Sequence, residues 1–333
     1  MRIIAPMMIL IMMTSTLAGC TGGDDKMTKE ELVEKIRNGE GFINGEHLTI
    51  GADLSGADLS GLQNSELYAL DFTGANLEGT DFTNSDLSHA TFDGASLKHT
   101  TFQDTNLEGT FFSGEYLALY FHDSNLQSAT FTGVYDVAFY NSDLSWASFY
   151  DVTFSTLGIT DSTLYATSFR CIEIESGGHF SDNKFESMNL NTYTIDCPHP
   201  QWGDTLFVDN TFEYVDLEGW YGDEYYGTVF KCNTFSNSEL GDTDFSNAHF
   251  QTVYGVYSQF GYTGQEEVCE QTFRDSNMDG STFGNFNNGT SFIGSTLALS
   301  SISSVHEEVT WYDTICPDQT NSNDNGNTCE NNL

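Results

Sequence analysis

The sequence predicts an all-β solenoid of stacked square coils, closed at its N-terminal end by a short helix. Three observations predict it. A large apolar residue recurs at every fifth position over long stretches. A small residue sits two positions before most of these. The resulting period of five fits neither the 3.6 of an α-helix nor the 2 of a strand.

Residues 1–19 read as an export signal. Arg2 supplies the positive start, and residues 3–13 form an apolar run broken by one proline, too short for a comfortable membrane span. Leu17, Ala18, Gly19 and Cys20 then resemble the box of a bacterial lipoprotein signal. The resemblance implies cleavage before Cys20 and lipid on that cysteine. Thr21 stands where inner-membrane lipoproteins often carry Asp, which implies the outer membrane. Residues 20–27 form a polar, lipidated tether. Residues 28–48 form a helical cap, in which Thr28 and Glu31 make a capping box and Leu32, Val33 and Ile36 an apolar stripe. Asn38-Gly39 stops the helix. A helix this short is unstable alone, and the open end of a solenoid offers the surface its stripe needs.

Residues 49–304 carry the repeats. Two five-residue units, residues 52–56 and 57–61, follow one another directly. After a slip, the ladder positions run through Leu77, Phe82, Leu87, Phe92, Leu97, Phe102, Leu107 and Phe112 in one register. Ala75, Thr80, Ser85, Ala90, Ala95, Thr100, Thr105 and Thr110 precede them by two. A chain that turns a corner every five residues satisfies this pattern: four repeats close a square, and both marked positions point inward. The register slips and resumes along the chain, with inserts at about 175–179, 196–204, 218–228 and 254–270. Trp220, Tyr221, Tyr254 and Tyr257 stand among their aromatics, which either pack on the rod or form a recognition patch for a protein or glycan.

This pattern resembles the pentapeptide-repeat family from about residue 49 to residue 302. The resemblance implies a right-handed quadrilateral β-helix. Family members often place Arg, Lys or Gln just after the ladder residue; here Ser55, Ser60, Thr73, Glu78, Thr83 and Ser88 stand there. The missing cations leave the surface strongly negative.

Residues 305–333 resemble a tail that closes many exported members of the family, with Gln319 in place of the usual Gly. One reading is a disulfide-closed cap over the last coil. The other is a calcium loop, with Asp318, Asn321, Asn323 and Asn325 as oxygen ligands around the turn at Gly326. The calcium reading lacks the bidentate Glu of a full loop, since Asn332 falls at the twelfth position. Six cysteines follow Cys20: Cys171, Cys197, Cys232, Cys269, Cys316 and Cys329. Six allow fifteen pairings. Cys316 and Cys329 lie close together beyond the repeats and form the first candidate pair; Cys171 with Cys197 and Cys232 with Cys269 are candidate staples around the inserts.

The net charge of -39, from 10 basic and 49 acidic residues, argues against nucleic acid and anionic membrane surfaces as partners. The eight histidines form no metal pattern, and no phosphate loop or nucleophile elbow is present. The sequence therefore predicts a non-catalytic envelope lipoprotein without cofactor, calcium in the tail apart. It would be held to the membrane through Cys20 and act as a rigid acidic scaffold or protein-interaction rod. The alternatives are a DNA mimic, as some cytoplasmic family members are, and a calcium-binding surface protein.

Overall fold

The structure is a computed structural model of the chain. It describes residues 27–330, apart from 63–69, 189–205, 214–228, 255–266 and several shorter breaks. The signal, Cys20 and most of the tether therefore lie outside the described residues, as do Trp220, Tyr221 and Tyr257; Tyr254 lies in a short strand, Val253–Tyr254, paired antiparallel with Glu267–Val268.

Helix α1 spans Lys29–Arg37, and its capping box forms: Glu31 N–H donates to Thr28 Oγ1 and Thr28 N–H to Glu31 Oε2. Leu32 and Ile36 are buried against the first coil. Two cations fasten the helix there. Lys29 Nζ donates to the Ser55 carbonyl at 2.8 Å, and Arg37 Nη2 donates to the Asp58 carbonyl at 2.8 Å. These carbonyls belong to the open first coil, so the helix supplies partners that a preceding coil would otherwise provide.

Beyond the helix the chain is a solenoid of short parallel strands. Each coil has four faces, numbered I to IV in chain order, and each face stacks its inward residues into a ladder. Face I begins with Leu54, Leu77 and Leu97, face II with Leu59, Phe82 and Phe102, face III with Leu87, Leu107 and Leu126, and face IV with Phe72, Phe92 and Phe112. All eight ladder residues from Leu77 to Phe112 are buried, as are the small residues two before them. On face IV the rings of Phe92 and Phe112 stack at 4.9 Å and those of Phe112 and Phe131 at 4.9 Å. That distance matches the roughly 4.8 Å spacing of paired strands, so backbone pairing and ring stacking share one repeat. Burying each Leu or Phe contributes roughly 1.5–3 kcal/mol.

The small inward positions satisfy buried polar groups. Thr80 Oγ1 donates to the Leu54 carbonyl and Ser85 Oγ to the Leu59 carbonyl, both at 2.8 Å and both one coil back. The corners two residues after face II adopt left-handed backbone at Asn84, Asp104, Asp123, Asn141, Asp161 and Asp182. Asp and Asn tolerate that conformation better than other non-glycine residues.

The slips do not disturb the whole coil. Face III stays in register as Leu144, Leu164, Phe185, Phe212, Phe235, Phe273, Phe292 and Trp311. Face II stays in register through Phe121, Phe139, Ile159, Phe180, Phe207, Phe230 and Phe250. The sequence reading skipped the coils around Phe121, Phe131 and Phe139, because they are shorter than twenty residues and lose the period of five. The insert at 175–179 follows Ile174, paired with Phe154 on face I, and the chain rejoins at Phe180 on face II. Past the stretches that hold 196–204 and 218–228 it again meets face II at Phe207 and Phe230, whereas 254–270 lies between faces II and III.

The composition of the core changes where the slips begin. In the early coils the aromatic columns are faces II and IV, meeting edge to face, as in Phe92 against Phe102 at 5.7 Å. After Leu164 face III turns aromatic, while the later face IV rungs are Met278, Leu297 and Cys316. Where one face enlarges another shrinks, as close packing of a fixed interior requires.

The inward polar column before face III enlarges with it, from Ser162 to Asn183, Asn210, Asn233 and Gln271, all buried. Asn183 N–H donates to Asn210 Oδ1 at 3.0 Å, and Asn210 N–H to Asn233 Oδ1 at 2.9 Å. Asn233 N–H donates to Gln271 Oε1 at 2.9 Å. In return Asn210 Nδ2 donates to the Phe180 carbonyl at 3.0 Å and Asn233 Nδ2 to the Phe207 carbonyl at 3.0 Å. This amide ladder joins the coils that carry the inserts.

Candidate functional site

The last coil is closed by a cap built from the polar tail. The ladder does not end at residue 304: Phe292 pairs with Trp311, stacked at 4.6 Å, and Cys316 takes the next face IV position after Leu297. Cys316 and Cys329 form a disulfide with Cα atoms 5.4 Å apart, both fully buried. The cysteine is thus a core rung as well as half of a cross-link. The side chains of Cys171, Cys197, Cys232 and Cys269 lie outside the described residues.

Between the two cysteines the chain imitates one more coil. Ser322 N–H donates to the Thr314 carbonyl at 2.8 Å, and Thr314 N–H donates to Ser322 Oγ at 3.1 Å. The inward serines of the preceding coils do the same, as in Ser276 N–H to Ser295 Oγ at 3.2 Å. A short 3₁₀ turn, Ser322–Asn325, follows and ends on left-handed Gly326. The edge that would invite another strand is therefore paired within the chain.

The side chains proposed for calcium are engaged in the same closure. Asn321 Oδ1 accepts from Asn323 N–H at 2.8 Å, and Asn323 Oδ1 accepts from Asp313 N–H at 3.1 Å. The Nδ2 groups of Asn321 and Asn323 both donate to Asp313 Oδ1, at 3.0 and 3.3 Å. Asp318 Oδ1 accepts from Thr320, and Asn325 Nδ2 donates to Thr320 Oγ1 at 2.6 Å. These side chains hold a turn together around two shared partners, Asp313 and Thr320.

The outer faces carry the charge. Asp53 and Asp58 accept from the hydroxyl and the N–H of Ser55 and Ser60, which lowers both carboxyls below their usual range. Burial raises Asp143, but the Ser145 hydroxyl, the Gln127 amide and the Ser145 N–H outweigh it, and the net shift is downward. At Ser55, Ser60 and Ser145 the residue after the ladder position, where the sequence lacks the family's cations, is thus a donor that lowers the preceding Asp. His89 and His99 are exposed at corners of left-handed backbone. Among large apolar side chains, Trp146, Tyr150 and Tyr120 are exposed on the early coils, a feature the sequence reading missed because it sought aromatics in the inserts.

Residues 50–88 and 75–114 match the family model described as pentapeptide repeats, in eight copies, which supports the family resemblance where the period is cleanest. No curated protein matches the sequence. Among solved structures, HetL, a pentapeptide-repeat protein involved in heterocyst differentiation regulation from the cyanobacterium Nostoc sp. strain PCC 7120, is similar at 12% identity. That match covers 81% of this chain and 92% of HetL, with a TM-score of 0.30. A trypsin-treated variant of QnrB1, a plasmid-mediated fluoroquinolone resistance protein, is similar at 20% identity over 60% of this chain and 87% of its own, with a TM-score of 0.22.

Proposed function

We propose that this pentapeptide-repeat solenoid is a non-catalytic envelope lipoprotein, held to the outer membrane through Cys20 and acting as a rigid acidic scaffold or protein-interaction rod. The filled interior carries the reading. Faces II and III keep their ladders along the described coils, and their inward positions are filled by large apolar side chains and by small or amide residues. What such a molecule offers to others is its outside. The buried disulfide supports an oxidising compartment, where such bonds persist. The signal-like segment ending at Cys20 supplies the route there.

Growing cells with a clickable palmitate analogue, then fractionating them, tests the anchor. Wild type should carry the label in the outer-membrane fraction, and Cys20→Ala should carry none and leave that fraction. An unlabelled cytosolic protein would overturn the reading and favour the DNA mimic, for which the corner column, acidic at Asp104, Asp123, Asp161 and Asp182 and interrupted by Asn141, is the supporting observation.

A further inference from the structure

We infer that the outside of face III in the early coils is a binding strip for a linear, uncharged, β-linked glycan, with Trp146 as its platform. The starting observation is conformational. Trp146 stands at a corner with φ of +58°, in the left-handed region, and is 55% exposed. The same corner carries His89, Gly109, Ser128 and Ala166 in neighbouring coils. A bulky side chain there is costly, and exposing an indole gains nothing for folding. The ring is nonetheless braced from one side: Tyr165 of the next coil meets it edge to face at 5.2 Å. Strain and exposure together at a buttressed ring point to a ligand.

The groups beside the ring say which ligand. Along face III, Asn125 Nδ2 donates to Asn106 Oδ1 at 3.0 Å, and Asn106 Nδ2 to Asp86 Oδ1 at 2.9 Å. Gln127 Nε2 donates to Asp143 Oδ2 at 2.5 Å, and Gln127 N–H to Asn125 Oδ1 at 3.1 Å. Planar amides and a carboxylate, fixed by one another, pair with the hydroxyls of a sugar, while an indole face takes its C–H surface. Prior ordering lowers the entropy lost on binding. The coils stand roughly 4.8 Å apart, close to the length of one β-linked hexose unit, so a linear chain lying along the rod sets one sugar beside each of Asp86, Asn106, Asn125 and Asp143 in turn. Asp86, Glu108 and Asp143 line the strip, which excludes a polyanionic chain.

The inference rests on the reading of the molecule as a binding rod, but not on its anchor, so binding is measured with the purified full chain. Isothermal titration calorimetry would follow titration with chitohexaose and cellohexaose, with oligogalacturonate as the anionic control. We expect saturable binding of at least one neutral oligosaccharide, at least tenfold weaker in Trp146→Gly and in Trp146→His, and no binding of the anionic one. Trp146→Gly should melt at the same temperature as wild type or higher, because glycine relieves the corner; Trp146→His, which copies the neighbouring His89, guards against misfolding. A fall in the melting temperature of Trp146→Gly would make the ring structural and overturn the proposal. Absence of binding by both neutral sugars, or equal binding of the anionic chain, would overturn it too, the first leaving a protein as the partner.

Discussion

At the scale of single residues, the buried amide ladder decides more than any one hydrophobic rung. Removing the Asn210 side chain deletes the acceptor of Asn183 N–H and the donor to the Phe180 carbonyl in one step. Two buried backbone groups would lose their partners, each costing about 1–3 kcal/mol. Asn210→Ala should therefore destabilise by about 2–6 kcal/mol, measured by denaturant unfolding. Asn210→Ser should cost less, because Ser162, Ser142 and Ser124 accept from the neighbouring N–H in earlier coils, as in Ser142 N–H to Ser162 Oγ at 3.1 Å. Such a position was visible in the sequence only as a break in the rule that the residue two before the ladder is small. Asn183, Asn210 and Asn233 each break it before a Phe. The period alone could not say that these asparagines point inward, because the period holds equally for a serine.

At the scale of elements, both ends of the rod are closed by chemistry rather than by more coil. At the N-terminal end Arg37 pairs with the Asp58 carboxylate at 3.0 Å, and Asp58 is held below the usual carboxylate range by Ser60 and, more weakly, by Arg37. A folded pKa below the unfolded one adds stability that is present above the unfolded value and lost as pH falls through the folded one. The melting-temperature difference between wild type and Asp58→Asn should hold at neutral pH and shrink as pH drops below about 4. A difference that persists in acid would refute the assignment. At the other end the disulfide spans a sequence separation of 13 and occupies a core rung. Replacing Cys316 and Cys329 by Ser should cost roughly 3 kcal/mol from the loop term alone, and more from placing a hydroxyl on the rung. The pairing was open among fifteen in the sequence; the closeness of the two cysteines singled it out, and the fold adds that Cys316 continues the column of Met278 and Leu297. The helix was legible from its capping box. The last coil was not, because Trp311 follows Phe292 at a spacing that is no multiple of five.

At the scale of the whole molecule, the negative surface opposes the stacking that builds the rod. With 49 acidic and 10 basic residues, like charges recur on neighbouring coils about 4.8 Å apart. Salt screens such exposed charges over roughly 8–10 Å at moderate ionic strength. The melting temperature should therefore rise between low and moderate sodium chloride; a fall would mean that attractive pairs dominate the surface. The ladders resist this repulsion by summing neighbour terms along the axis.

The central claim is that one stacked core, made coil by coil, specifies the molecule. Phe92→Asp tests it most directly when amide hydrogen exchange is followed by mass spectrometry on peptides along the chain. Phe92 stacks at 5.1 Å on Phe72 and at 4.9 Å on Phe112. The account predicts that protection collapses in the coils around those two residues and survives near the cap at Cys316. Protection and melting temperature unchanged by a buried carboxylate at that rung would contradict it.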